Sequence, residues 1–336
     1  MPEKLLITRL AGLGDVASIL IPAVSGLSRA AAPDTVIDVL TYDAGIELMD
    51  LVPIVTDVLG ITPEQWPRDL TPAMESFTNI ARFIASRQYD RIICLDTWFM
   101  PCFLAQVLKD AGFNVEGNHL DRSISDLNLA LGAGKLDASY FSNTRYMRST
   151  YPKMSDWQQP WWLKPHTAAH YPEYYLNHCC GFTWPVDIRL RISPDPSLRQ
   201  AVAGKKIIAL STQGSAALKH YKQAEQLTRI LQSAGYHVWS RFDGSQPMAT
   251  TLGQLAATDL LITVPTSTQW LAKLVGCPSL MIPGAMHPDI LGAEYTIAQS
   301  EDCQYCCQTG CPAGRNYACM DIPAQQILEK VQAILG

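Results

Sequence analysis

At 336 residues, with 48% hydrophobic and 17% charged side chains and a net charge of −5, the chain can fill two domain cores and has no basic surplus for gripping nucleic acid. No apolar run reaches the ~18 residues of a membrane span, and Glu3, Lys4 and Arg9 interrupt the first apolar run, so neither a transmembrane segment nor a signal peptide is expected and the expected location is cytoplasmic. There, ten cysteines are expected as reduced thiols or metal ligands rather than disulfides.

The opening stretch Leu5-Leu6-Ile7-Thr8-Arg9-Leu10-Ala11-Gly12-Leu13-Gly14-Asp15 reads as a strand ending in a tight Gly-x-Gly loop, with an amphipathic helix from about Val16 to Ala30. The glycines let the loop turn sharply and let another molecule reach the backbone, which makes Gly14 a candidate ligand contact. Asp15 falls at the carboxyl end of the strand, where open α/β sheets bind ligands, and in the first turn of a helix whose dipole favours its ionised form. It is either a cap or a chemical group.

Strand and helix then alternate. Val36–Thr41, Val55–Ile61 and Arg91–Asp96 read as strands, and Ala44–Leu51, Thr71–Ser86 and Phe103–Ala111 as helices. This order predicts a parallel doubly wound α/β sheet. Residues 118–170 are less regular. Leu131-Gly132-Ala133-Gly134-Lys135 lacks the spacing of a phosphate loop and reads as a turn. The aromatic stretch Trp157–Trp162 either packs a loop or stacks on an acceptor sugar. Tyr171–Cys180 reads as a helix closed by Gly181, and His166, His170 and His178 as ordinary histidines. The proline-bearing stretch 185–204 marks the boundary between a first domain, 1–190, and a second, 200–336.

The second half repeats the pattern. The strand Lys205–Ser211 runs into the small polar loop Thr212-Gln213-Gly214-Ser215, then Lys219, then a helix from Lys222 to Ala234. Such a loop and helix N-terminus suit a phosphate, and Lys219 suits a diphosphate. Further strands are expected at Tyr236–Ser240, Asp259–Val264 and Pro278–Ile282, with helices at Leu252–Ala257, Gln269–Val275 and Ala324–Leu335. The loop Pro265-Thr266-Ser267-Thr268 makes Thr266 and Ser267 donor-site candidates. Neither opening strand is followed by Gly-x-Gly-x-x-Gly, which disfavours a dinucleotide oxidoreductase. Five cysteines crowd into 303–319. Cys303, Cys306, Cys311 and Cys319 form a natural tetrahedral set for a structural Zn or Fe ion, with free thiols or an oxidised pair as the alternative.

The residues Ile7-Thr8-Arg9-Leu10, Gly14-Asp15-Val16 and Pro22-Ala23, the Ser211–Lys219 loop, and the segments Ala257–Ile262, Gly276-Cys277-Pro278 and Pro283-Gly284 resemble the heptosyltransferase-type glycosyltransferases of family 9. The resemblance implies a GT-B fold of two facing Rossmann-like domains. It implies an ADP-heptose donor held by Thr212–Ser215, Lys219, Thr266 and Ser267, with Asp15 as catalytic base and Lys219 as the other catalytic residue. Inversion, no required cation, and a lipopolysaccharide-core glycolipid or a protein hydroxyl as acceptor follow from it. In the family's protein-modifying (autotransporter) branch, a matching cysteine cluster holds iron. The chain departs from the family at Pro265, where an Asp is usual, and at Trp270, where a His is usual, so the donor sugar stays open. So does a non-catalytic GT-B scaffold that binds a nucleotide or a protein partner.

Overall fold

Leu5, Leu6 and Ile7 are fully buried, as a parallel strand covered on both faces requires. They belong to β1 (Lys4–Arg9), which anchors a six-stranded sheet. The computed structural model describes residues 2–142, 145–157, 170–202, 204–298, 305–306 and 311–336. The chain divides into two units, Met1–Gln159 with Tyr175–Asp187, and Pro160–Tyr174 with Ile188–Gly336. His170–Tyr174 group with the second unit, within the stretch to 190 where the first domain was expected. Locally, His170 lies 3.2 Å from the Asp289 carbonyl and the Tyr171 ring meets Trp270.

The first sheet adds β2 (Val36–Tyr42), β3 (Asp57–Ile61), β4 (Arg91–Cys94), β5 (Val115–Leu120) and β6 (Met147–Ser149) in the order β3-β2-β1-β4-β5-β6. β1 to β5 are parallel and β6 is antiparallel. β6 falls in the stretch without regular patterning, because three residues on a sheet edge carry too little alternation to read. The helix after β1 is one run over 13–30, but Val16–Leu20 is π-wound. The Leu70–Ser86 helix buries Ala73, Phe77, Ile80, Ala81 and Ile84, the stripe that its spacing predicts. The Phe99–Asp110 helix starts four residues earlier than its apolar pattern suggests, with Pro101 in its first turn. The 131–135 stretch is the end of the Ile124–Gly132 helix followed by a turn, with Gly134 at φ +61°.

The second sheet is all parallel: β7 (Ile207–Ser211), β8 (His237–Trp239), β9 (Leu260–Thr263), β10 (Ser279–Met281) and β11 (Tyr295–Thr296), in the order β11-β10-β9-β7-β8. Ile208, Leu210, Leu260, Ile262 and Leu280 form its core with Leu227 and Leu231 of the Ala224–Ser233 helix and Ile327 and Val331 of the Ala324–Leu335 helix. Each buried aliphatic side chain contributes about 1.5–3 kcal/mol of apolar burial. Among the described residues, no helix is long and apolar enough to cross a membrane.

Candidate functional site

Each sheet reverses its strand order beside its first strand, between β1 and β4 in one and between β7 and β9 in the other. Ligands in open α/β sheets bind outside the carboxyl ends of the strands at such a point.

At the first switch point, the chain leaves β1 through Leu10 and enters the helical run at Leu13. Gly12 has an ordinary φ of −62°, and a β-carbon on it would meet nothing within 4 Å. Gly14 sits inside the first helical turn. The expected sharp glycine turn is therefore not used: Gly12 gives open access rather than a left-handed bend. Asp15 is 31% exposed, and its Oδ1 accepts from Nη2 of Arg9 at 2.5 Å. The Arg9 side chain is only 3% exposed. Its Nη1 donates to the Leu95 carbonyl, and its guanidinium lies 5.1 Å from the Tyr175 ring centre.

Behind this pair lies Asp96, fully buried just past β4. Its carboxylate accepts from the Leu10 N–H at 2.6 Å and the Thr8 hydroxyl at 2.9 Å. Burial pushes its carboxyl up to about 6; the Arg9 charge, the Leu10 N–H and the Thr8 hydroxyl oppose that shift, and the Asp15 charge adds to it. The Asn118 amide donates to the Asp96 carbonyl at 2.8 Å, and the Tyr175 hydroxyl to the Leu95 carbonyl at 2.7 Å. These bonds fix the β4 end of the network. The described aromatic residue of the Trp157–Trp162 stretch, Trp157, packs edge-on against Tyr175; the rest of that stretch lies outside the described residues, as does His166.

At the second switch point, a cavity of about 450 Å³ opens at the ends of β7, β8 and β9. Thr212, Gln213, Thr266 and Ser267 line it together. Thr266 caps the Ser267–Leu274 helix, whose N-terminal turn faces the cavity, and a 3.0 Å bond from the Ser211 hydroxyl to Thr268 ties that turn to β7. The helix end offers backbone N–H groups and a positive dipole to an anion.

Gly214, Ser215 and Lys219 are not among the lining residues. They lie on a small hairpin that extends from Thr212 and Gln213. Tyr221 N–H donates to the Thr212 carbonyl at 2.9 Å, and Gly214 N–H to the Lys219 carbonyl at 3.0 Å. The Gly214 N–H is thus engaged within the hairpin, not offered to a phosphate. Its role is close approach: a β-carbon there would stand 2.6 Å from Cβ of Lys219.

Sequence reasoning missed Phe242, Asp243 and Glu225, all of which line the cavity. The available signal was an aromatic and an acid just past the strand after the phosphate loop, where dinucleotide folds place a ribose-binding carboxylate. The Ser245 hydroxyl and amide bind Asp243 at 2.6 and 3.0 Å and hold its carboxyl below the usual range. Trp270, at the departure from the family's His, is 7% exposed and packs beside Tyr171.

Of the proposed metal ligands, Cys303 lies outside the described residues, while Cys306, Cys311 and Cys319 are half-buried. Among the described residues, no three potential ligands gather into a group that could hold a metal ion. The Cys311 thiol is nonetheless held below its ordinary value by the backbone N–H groups of Tyr317, Arg315 and Ala313. Among the described residues, Cys94, Cys102, Cys180, Cys277, Cys306 and Cys311 are free thiols.

No family model matches the sequence, and no curated protein matches it. Solved structures do. A family 9 glycosyltransferase from Veillonella parvula aligns over 99% of this chain and 97% of its own, at 14% identity and a TM-score of 0.68. The ADP-heptose LPS heptosyltransferase II of E. coli aligns over 99% and 98%, at 14% identity and a TM-score of 0.60. The iron-containing dodecameric heptosyltransferase TibC, solved with ADP-D-β-D-heptose, aligns over 99% of this chain and 77% of its own, at 13% identity and a TM-score of 0.56. The chain has the fold of these glycosyltransferases, the GT-B class inferred from its motifs.

Proposed function

We propose that the protein is a cytoplasmic glycosyltransferase. It would move a sugar, heptose on the likeness to its structural neighbours, from an ADP-linked donor to a hydroxyl of a glycolipid or protein. The observation that carries this reading is the Asp15 carboxylate, partly exposed at the β1 switch point and paired with a buried arginine. Asp15 would take the proton from the acceptor hydroxyl as that oxygen attacks the anomeric carbon from the face opposite the diphosphate, giving inversion. The transition state is oxocarbenium-like. The second unit would hold the donor in the β7–β9 cavity. Thr266, Ser267 and the helix end suit its phosphates, Asp243 a ribose diol, and Phe242 the face of a base. Lys219 would stabilise the departing diphosphate, so the scheme needs no divalent cation.

Under the same reading, Cys303, Cys306, Cys311 and Cys319 would hold a structural zinc or iron ion. The lowered Cys311 thiol supports this, since a metal binds the thiolate. Metal analysis of the purified protein before and after chelation tests it.

Calorimetric titration with ADP-heptose, ADP and UDP, alongside Lys219→Ala, tests the donor assignment. ADP ligands should bind at micromolar strength and more weakly to the variant; no binding by any of the three removes the donor assignment. The buried Trp270 favours the second reading, a nucleotide-binding scaffold without catalysis. Slow release of ADP from ADP-heptose in the absence of acceptor decides for the enzyme.

A further inference from the structure

Trp98 has no part in the scheme above, and its side chain stands 61% exposed to solvent. It follows β4 by four residues and caps the Phe99–Asp110 helix. An exposed apolar side chain on a helix flank is ordinary, and Phe83 and Leu129 are placed so. Trp98 instead sits past the carboxyl end of a strand, beside the switch point where an open α/β sheet takes its ligand.

The loop that carries the ring is held rigid. The Leu95 carbonyl accepts from the Tyr175 hydroxyl at 2.7 Å, that of Asp96 from the Asn118 amide at 2.8 Å, and that of Thr97 from the Tyr146 hydroxyl at 2.7 Å. The Trp98 carbonyl accepts from the Cys102 N–H at 3.1 Å. Four successive carbonyls are thus engaged. The rim on either side is polar. β4 lies between β1 and β5, so the turn carrying Asp15 and the loop carrying Asp121 and Arg122 flank Trp98, two strand spacings or about 10 Å apart. The Arg122 guanidinium is 30% exposed. Two 2.9 Å bonds to Asp121 and the Tyr140 ring, 4.8 Å away, hold it flat.

We propose that Trp98 is the platform on which the acceptor stacks, and that the acceptor is a saccharide. One face of a sugar ring would lie on the indole, with hydroxyls reaching Asp15 on one side and Arg122 on the other. The inference rests on the reading of Asp15 as a base. The C–H bonds on a sugar face meet the negative face of the indole, while the edge of the sugar stays polar. Planar carboxylate and guanidinium groups suit pairs of neighbouring hydroxyls. A peptide acceptor suits the place less. An extended peptide docks by pairing its N–H groups with open backbone carbonyls, and the four carbonyls of this loop are already engaged. A lipid chain needs a contiguous apolar patch, whereas this ring is bordered by charged groups.

Saturation-transfer NMR and titration of the full-length protein test it. The probes are the methyl glycosides of heptose, glucose, galactose and N-acetylglucosamine, and a peptide containing serine and threonine. At least one glycoside should bind, with its ring C–H protons receiving the strongest transfer. Trp98→Ala should weaken that binding about tenfold, and Trp98→Phe, which keeps a ring, only a few-fold. Binding of no glycoside by the wild type overturns the proposal, as does equal binding by Trp98→Ala or preference for the peptide. ADP affinity separates a structural role: a parallel loss of ADP binding in Trp98→Ala would mean that the ring supports the fold, and it too overturns the proposal. Asp15→Asn reports on the base by itself. If that variant still stacks the glycoside and still turns over ADP-heptose, Asp15 is not the base while Trp98 remains the platform.

Discussion

The two switch points share a topology and differ in chemistry. Beside β1, the groups are charged and stacked in depth, from buried Asp96 through Arg9 to half-open Asp15. Beside β7, the loops that line the cavity present hydroxyls, an amide, a helix end and the Asp243 carboxylate, Glu225 joins them from the next helix, and the cation Lys219 stands on a hairpin that folds back on itself. A proton acceptor needs a carboxylate whose environment is held rigid. A diphosphate needs backbone donors and a nearby positive charge, and no buried ion. The same fold thus supplies two kinds of site through the residues that follow its strands.

The largest test of this division is Asp15→Asn. The amide keeps the shape and cannot accept the acceptor's proton, so turnover should fall by roughly 10²-fold or more while ADP-heptose affinity stays unchanged. Steady-state kinetics beside calorimetry measures both, and a fully active variant removes Asp15 as base.

Next comes the depth of the first site. Burial raises the folded carboxyl of Asp96 from 3.8 to about 6. A carboxyl raised on folding contributes stability that is fully present below its unfolded value and is lost as pH rises through the folded one. Between pH 4 and pH 7, the wild type should therefore lose about 2 kcal/mol relative to Asp96→Asn, which does not titrate. Urea unfolding of both proteins at several pH values across that window measures the difference. A constant difference would mean that Asp96 is not the perturbed group.

On the second site, Lys219→Ala should weaken ADP binding about tenfold, the scale of one charge-assisted contact. Thermal stability should stay nearly level, since Lys219 is partly exposed. Unchanged affinity would place the diphosphate elsewhere.

Much of this was legible in the residues. The apolar runs of β1 and β4, the helix stripes and the small-residue loops after β7 and β9 gave the alternation, and Asp15, Thr212 and Thr266 stood out at strand ends. Other features were not. Arg9 reads as a charge breaking an apolar run, and nothing local says that it is buried between Asp15 and the Leu95 carbonyl. Asp96 reads as a strand terminus, because its partners are 86 and 88 residues away. The π-wound Val16–Leu20 turn has the composition of any apolar helix. The Cys303 set falls partly outside the described residues, and its geometry depends on chain folding that spacing alone does not fix.

The smallest expected effect sits on the hairpin. Alanine at Gly214 would put its β-carbon 2.6 Å from that of Lys219, and a β-carbon cannot swing away as a side-chain tip can. The hairpin must open, stretching the bond from the Gly214 N–H to the Lys219 carbonyl and the 2.8 Å contact of the His220 ring with the Gly214 carbonyl. Lys219 then moves off its position, and ADP affinity should drop a few-fold, less than on losing the ammonium outright. The double variant Gly214→Ala with Lys219→Ala separates the causes. If Gly214 matters through the lysine, the second substitution should add almost nothing to the loss from Lys219→Ala alone. Additive losses would instead mean that the hairpin backbone itself meets the nucleotide, and the second site would then depend on its main chain more than on the Lys219 ammonium.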